Sequence, residues 1–307
     1  MQVEKKVSVG QFCWLRASIY GFLGGGIIED LYLPESKEEL IECVNELNKS
    51  DKQFFIFGHT SNCYFLPSFN AETVISTRLL NHYAVLGDRV ICEPGAHIKT
   101  VAKDLTNQGF IGYSGLVDLP GTVAAAVYGN AGCFGCETKD IVQSVEILLP
   151  NGTIRTLKNE DLGFKKRSSA LKRNEIQGVI LSVSLKKENG DRKTLLAHSE
   201  ACHRERQQTQ SGPANNLGSC FMSGTKTLGL RIVERIVYHI GNLLKFDKRQ
   251  RLKLLLKIYG ERKLVPYLFE LNRFMWTDKQ SHEVFNQYVA FYRKIYKNAQ
   301  LEIQLFE

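Results

Sequence analysis

At 307 residues, with 43% hydrophobic and 23% charged residues, the chain has the make-up of a soluble globular protein with room for two or three lobes. No apolar run reaches the roughly 18 residues of a membrane span, residues 1–10 lack the apolar core of a secretory signal, and eight scattered cysteines fit a reducing cytoplasm better than a disulfide framework. The formal charge of +8 is concentrated between Gly241 and Val265, where eight Lys and Arg face only Asp247 and Glu261, so its explanation is local.

In chain order, Gly24-Gly-Gly26 reads as a flexible turn and Ile27 to Leu33 as a strand ending at Pro34. Ser36-Lys-Glu-Glu39 has the form of a capping box, followed by a helix with Leu40, Cys43, Val44 and Leu47 on one face. Phe54 to Phe57 and Cys63 to Leu66 are short strands on either side of a polar turn, Gly58-His-Thr-Ser-Asn62. Strands are predicted at 73–76, 83–86 and 89–93, the last two joined at Gly87-Asp88 as a hairpin. A helix is predicted from Ile98 to Gln108 with Val101, Ala102 and Leu105 inward. Residues 142–149 and 153–157 form a hairpin around Pro150-Asn-Gly152, and 179–185 is a further strand. Single helices among many short strands make an α+β pattern from about residue 20 to 190. Helical patterns dominate from Leu228 to the end.

Two stretches are candidates for holding a ligand. The turn from Gly58 to Asn62 can form a nest of backbone amides, with Thr60, Ser61 and Asn62 adding side-chain donors suited to a pyrophosphate, although taken alone a purely structural turn is the better reading, since polar turns between strands are commonplace. From Leu119 to Gly135 nearly every residue is small. Pro120-Gly121 sets a turn, and Thr122 is a candidate N-cap for a short helix through Val127. Its opening N–H groups suit a phosphate or a flat ring; close packing of small residues is the equal alternative.

Together these stretches resemble the UDP-N-acetylenolpyruvoylglucosamine reductase family, also called UDP-N-acetylmuramate dehydrogenases. The family's Leu-Gly-Gly-Gly-Ser-Asn loop is similar to Phe57-Gly-His-Thr-Ser-Asn62. Its Ile-Pro-Gly-Thr-Val-Gly-Gly-Ala segment, continuing to Asn-Ala-Gly-Ala-Tyr-Gly-x-Glu, is similar to 119–126 and 130–137. Phe164-Lys-Lys-Arg-Ser-Ser169 resembles Phe-x-Tyr-Arg-x-Ser. Arg206-Gln-Gln-Thr-Gln210 and Gly218-Ser-Cys-Phe221 resemble the family's Arg-x-x-Thr-Gln and Gly-Ser-x-Phe runs. The resemblance covers roughly residues 20 to 225, with a weaker echo at the C-terminus.

The resemblance implies an α+β fold with a two-lobed FAD-binding region of the vanillyl-alcohol-oxidase/PCMH type, followed by a divergent, largely helical C-terminal domain. The lobes are expected at 1–70 and 71–198, and the third region at 199–307. FAD is the implied cofactor and NADPH the implied reductant. The implied FAD contacts are Gly58, His59, Thr60, Ser61, Asn62, Pro120, Gly121, Thr122, Asn130, Ala131, Gly132 and Gly135. Arg167 is implied to stabilise charge on an enolpyruvyl carboxylate, and Ser219 to be the proton donor. The implied substrate is an enolpyruvyl or related sugar nucleotide, in a cytoplasmic protein of peptidoglycan precursor synthesis.

Departures fall on catalysis rather than on FAD. The Tyr before the Arg is Lys166, and Gly-Ser-x-Phe-Lys-Asn-Pro becomes Gly218-Ser-Cys-Phe-Met-Ser-Gly224. The C-terminal Leu-Glu-Pro-Glu-Val becomes Leu301-Glu-Ile-Gln-Leu305, so the family's catalytic Glu falls on Gln304, which is no acid. Glu302 substitutes only if the register shifts. In the third region, 243–274 is rich in Lys, Arg and Leu, with Leu252, Leu255, Leu256 and Tyr259 on one helical face. The plain reading is a core-facing helix with a solvated basic face; the sharper one is contact with an anionic membrane or with a phosphorylated or lipid-linked sugar. Cys133-Phe-Gly-Cys136 reads as two packing residues rather than a redox pair or zinc ligands, the seven His have no metal-ligand spacing, and no nucleic-acid-binding motif accompanies the basic window. The alternative function is a flavin-binding homologue with altered or lost chemistry, acting in surface-polysaccharide or cell-envelope assembly.

Overall fold

The computed structural model describes residues 1–8, 26–66, 68–209, 217–222, 224–276 and 280–306. Gly24 and Gly25 of the predicted glycine turn lie outside these residues, as do Gln210 and Ser223 of the family-like runs. The described chain divides into two compact units. One holds residues 1–7, 27–61 and 70–209; the other holds 62–69 and 217–306.

In chain order the first unit opens with β1 (Gln2–Ser8), β2 (Ile27–Leu33), α1 (Lys37–Lys49) and β3 (Phe55–Phe57). Ser36 caps α1 by accepting from the Glu39 amide, and Leu40, Cys43, Val44 and Leu47 are the buried face, as their spacing predicts. The capping box is only half formed, because the Glu39 carboxylate accepts from the Glu35 amide instead. β4 (Cys63–Phe65) belongs to the second unit, and β5 (Ala71–Ser76) returns to the first. These strands form a sheet ordered β1-β2-β5-β3, in which β2 and β3 both run parallel to β5.

The hairpin of β6 (Tyr83–Leu86) and β7 (Arg89–Cys92) follows, then α2 (Ile98–Gln108), α3 (Val123–Gly129), the small hairpin β8 (Gly132–Cys133) and β9 (Cys136–Glu137), and one turn of helix, α4 (Thr138–Ile141). β10 (Val142–Leu148), β11 (Ile154–Lys158) and β12 (Val179–Lys186) complete an antiparallel sheet ordered β11-β10-β12-β7-β6. Val101, Ala102 and Leu105 of α2 and Val123, Ala126 and Val127 of α3 are buried in one core with Val145, Val183 and Leu185 of that sheet. Burial of such side chains stabilises by about 1.5–3 kcal/mol each.

α5 (Arg192–Thr209) closes the first unit and escaped the sequence reading. Cys202 is the only buried residue among its described side chains, so it lacks the apolar periodicity that announces a helix. It is held instead by polar contacts, Ser114 Oγ with His198 Nδ1 at 2.8 Å and Asp118 Oδ2 with His203 Nδ1 at 2.7 Å. Two differences from the three-part division follow. The third region begins after α5 rather than at residue 199 within it, and 62–69 joins the second unit because β4 pairs with β19 (Gln304–Phe306).

The second unit contains β13 (Phe221–Met222), β14 (Thr225–Lys226), α6 (Leu228–Leu243), α7 (Lys248–Ile258), β15 (Leu268–Glu270), β16 (Arg273–Phe274), α8 (Ser281–Ile295), β17 (Tyr296–Lys297), β18 (Gln300–Leu301) and β19 (Gln304–Phe306). Helices dominate, as expected, and the strands pair only in twos. Its core is aromatic: Phe221 stacks on Tyr292 at 4.1 Å between ring centres, and Phe274 meets Trp276 at 4.9 Å and Phe285 at 5.1 Å. In α7, Leu255 and Leu256 are buried and Leu252 and Tyr259 half-buried, which is the core-facing reading of that stretch. The Leu255–Leu256 side of α7 is therefore turned inward, and its outer side carries basic residues together with the exposed Ile258.

Candidate functional site

The two small-residue stretches meet in the first unit. A Cβ on Gly58 would lie 2.6 Å from the Thr122 hydroxyl oxygen, and one on Gly121, at φ +114, would lie 2.9 Å from Ser61 Oγ. Only glycine allows that approach. Thr60 is buried with left-handed backbone, at φ +50, the alternation that aims successive amides at a common point. Among the described residues, no hydrogen bond reaches the amides of His59, Thr60 or Ser61. A concave glycine turn with open amides fits a pyrophosphate, which needs close backbone approach and several N–H donors.

The opening of α3 is different. Thr122 caps the helix by accepting from the Ala125 amide at 3.3 Å, as expected. The Val123 and Ala124 amides donate to the carbonyls of Ala96 and Pro94. The N–H groups that suit a phosphate are thus already paired, and what the stretch presents is a surface of small side chains. Pro120 is exposed, and Gly121 accepts through its carbonyl from the Ile98 amide. The His59 ring lies 4.0 Å from that of His97, the residue before α2. Burial, with His97 and Arg78 nearby, depresses the His59 imidazole to about 4, and burial also lowers His97.

Asn130 ends α3 with left-handed backbone and is fully buried. Its amide donates to Lys165 O at 2.9 Å and Glu137 Oε2 at 3.3 Å, and its oxygen accepts from the Lys139 amide at 3.0 Å. Thr138 donates through its hydroxyl to Ala131 O, and Ser169 to Tyr128 O. These bonds tie α3, the β8–β9 hairpin and the loop around Arg167 into one body. Asn130 therefore positions the site rather than offering a free amide to a ligand.

That body encloses a depression of about 390 Å³ lined by Gly132, Cys133, Phe134, Gly135, Glu137 and Arg167. Arg167 has left-handed backbone, and its carbonyl accepts from Lys172 Nζ at 3.1 Å. Lys139, hydrogen-bonded at 2.8 Å, holds the Glu137 carboxyl below its usual range, with Asn130 and Arg167 adding to the effect. Arg206, on the unforeseen helix α5, bonds Cys133 Sγ at 3.4 Å and stands over the Phe134 ring at 5.5 Å. Burial pushes the Cys133 thiol up, against the pull of Arg206 and Arg167. Two guanidiniums thus flank the hairpin, suited to a carboxylate or phosphate. The part of Arg206 in the site is not legible in the sequence because it depends on the course of α5, and that of Glu137 because it depends on where Asn130 and Arg167 lie. Among the described residues no His, Cys, Asp and Glu cluster could hold a metal.

Ser219 lies in the second unit, half-buried, after Gly218 at φ +88. The Cys220 amide donates to Asn272 O, and the Asn272 side chain pairs with both backbone groups of Phe221 at 2.8 Å. Opposite, Phe221 pairs with Leu301 and the Glu302 amide donates to Cys220 O. The fold thus brings the Gly-Ser-x-Phe run and the C-terminal echo side by side. Asn62 joins them: its amide donates to Glu302 O at 2.8 Å and its carbonyl accepts from the Gln304 amide at 3.0 Å. Gln304 is paired to Cys63 of β4.

Residues 30–158 match the FAD binding domain family, a span that takes in both glycine loops and the hairpin. The chain is 29% identical over 197 residues to the UDP-N-acetylenolpyruvoylglucosamine reductase of Enterococcus faecalis, covering 64% of this chain and 65% of that protein. It is 28% identical over 212 residues to the Bacillus subtilis enzyme of the same name, covering 69% and 70%. The match thus spans just under two thirds of the length of the first of these relatives. The crystal structure of UDP-N-acetylenolpyruvylglucosamine reductase from Thermus caldophilus shares the fold over the full length of both chains, with a TM-score of 0.67 at 20% identity. The α+β architecture thus shares the fold of that reductase structure, its residues 30–158 match the FAD binding domain family, and its sequence is similar to reductases of this name over 64% to 69% of the chain.

Proposed function

We propose that the protein is an FAD-dependent oxidoreductase that reduces an enolpyruvyl or related sugar nucleotide in the cytoplasm, with NADPH as the source of hydride. The observation that carries this reading is the approach of the glycine turn to the second loop, Gly58 against Thr122 and Ser61 against Gly121. The amides of His59, Thr60 and Ser61 hold the pyrophosphate, and the small residues from Gly121 to Ala126 leave room for a flat ring. Bound flavin supplies hydride transfer between NADPH and the substrate double bond. Arg167 bears the negative charge that develops beside the substrate carboxylate, and Arg206 adds a second cation at the same hairpin. Ser219 delivers the proton to the carbon next to the carboxylate.

The second reading, a flavin-holding homologue with altered or lost chemistry in envelope assembly, is favoured by one position. Gln304 falls on the family's acid in the resembling run Leu301-Glu-Ile-Gln-Leu305, and an amide is no acid. Purified protein tests the two together. Yellow flavin that bleaches with NADPH and reoxidises on UDP-N-acetylglucosamine-enolpyruvate supports the first. Flavin that this substrate never reoxidises sinks it and leaves the second. A protein that takes up no flavin on reconstitution overturns both.

A further inference from the structure

Helix α6 has two apolar faces, and only one is used by the core. Leu230, Val237 and Gly241 are buried against the second unit. Around the cylinder from them, Leu228, Ile232, Ile236 and Leu243 recur at i, i+4, i+8 and i+15 and are 74%, 50%, 43% and 83% exposed. Leu244, just past the helix, extends the stripe. A stripe of this kind along about 24 Å of helix is not what solvent selects.

The surrounding charge is of one sign. Arg231 and Arg235 are exposed on the same helix beside the stripe, and Lys245, Lys248 and Arg249 are exposed just beyond its end. Among the described residues, none of these five joins an ion pair. The neighbouring acids are occupied: Glu234 pairs with Lys226 at 2.8 Å, and Asp247 caps α7 by accepting from the Gln250 amide. α7 docks against Tyr238, Gly241 and Asn242 of α6, where Arg251 bonds Asn242 Oδ1 at 2.8 Å and stands over Tyr238 at 5.6 Å, and the stripe stays exposed.

We infer that α6 and the start of α7 form a surface that lies on an anionic lipid bilayer. The aliphatic stripe enters the interface and the flanking cations meet lipid phosphates. A second copy of the chain fits worse, because a self-complementary contact through this face sets Arg231 and Arg235 against their own copies. Nucleic acid fits worse too, since it has no use for an aliphatic stripe and Tyr238 is engaged by Arg251. Among the described residues no helix is long and apolar enough to cross a membrane, so the contact is with the surface. This departs from the sequence expectation for 243–274: the aliphatic element is α6, and α7 contributes only charge.

The test uses the full chain with vesicles of phosphatidylcholine, with and without phosphatidylglycerol, at low and high salt. Co-sedimentation is expected with the anionic vesicles only, weakening as salt rises. The double variant Arg231→Ser/Arg235→Ser is expected to weaken it about 30-fold, on the order of fivefold per cation. Ile232→Ser/Leu243→Ser is expected to weaken it at least about tenfold while leaving the melting temperature unchanged, because both side chains face water in the free protein. No binding to anionic vesicles, or equal binding to neutral ones, overturns the inference. A dimer in sedimentation velocity that Ile232→Ser/Leu243→Ser dissociates, or duplex DNA binding that Arg231→Ser/Arg235→Ser abolishes without vesicle binding, overturns it in favour of those partners. None of these readouts depends on flavin or on the proposed reaction.

Discussion

Gly58 and Thr122, 64 residues apart in the chain, approach so closely that a methyl group at 58 would stand 2.6 Å from the threonine hydroxyl. The same threonine caps α3. One contact therefore joins the glycine turn to the helix that follows the second loop. Gly58→Ala should cost about 1–3 kcal/mol through overpacking, and Thr122→Ala about 1 kcal/mol through the lost cap. Because the alanine at 122 makes room for the one at 58, the double variant should cost less than the sum. Urea unfolding of all four proteins measures that coupling, and strict additivity would show the contact to be without consequence.

Asn130 holds three segments together with one buried amide. Asn130→Ala removes one of the two donors to the Lys165 carbonyl, leaves the Lys139 amide without its partner and forces alanine into left-handed backbone. A loss of about 2–4 kcal/mol is expected, in the range for an unsatisfied buried group plus backbone strain. Thermal unfolding checks the loss, and flavin uptake should fall with it, since the hairpin beside Arg167 loses its anchor.

Arg167 tests the proposed chemistry. Arg167→Ala should lower turnover by about 10²–10³-fold, and Arg167→Lys should recover little because a point charge does not replace the planar fork. Flavin absorbance and melting temperature should stay as in the parent protein. Steady-state kinetics with NADPH decides it; unchanged turnover removes Arg167 from the mechanism. On the same reading, Gln304→Glu restores the family's acid and should raise turnover.

His59 gives a dependence on pH whose sign can be worked out. The unfolded imidazole titrates near its ordinary 6.5 and the buried one near about 4. Between those values the unfolded chain binds more protons, so the folded state keeps its full contribution above about 6.5 and loses it as the pH falls toward 4. The unfolding midpoint should drop over that window, and His59→Gln should flatten the drop. His97 is depressed in the same sense and will leave part of the slope.

Local sequence determined the elements whose side chains report their own environment. Ser36 and Thr122 caps, the inward faces of α1 and α2, the hairpin turns at Gly87 and Gly152, and the inward face of α7 all follow from periodicity, capping and turn chemistry. The glycine loops marked a close approach of two backbone segments, because such approach restricts composition. Tertiary structure alone decided the rest. α5 is held by polar contacts with distant residues rather than by an apolar stripe, so neither the helix nor the placement of Arg206 beside Cys133 was legible. The donors at the opening of α3 were free in sequence and are paired in the fold, because the carbonyls of Pro94 and Ala96 come from another segment. The strand partner of Gln304 is Cys63 of β4, more than two hundred residues earlier, which local sequence does not report. Periodicity finds apolar faces, but which of two faces meets the core, as in α6, depends on what packs there, and that is a property of the folded chain.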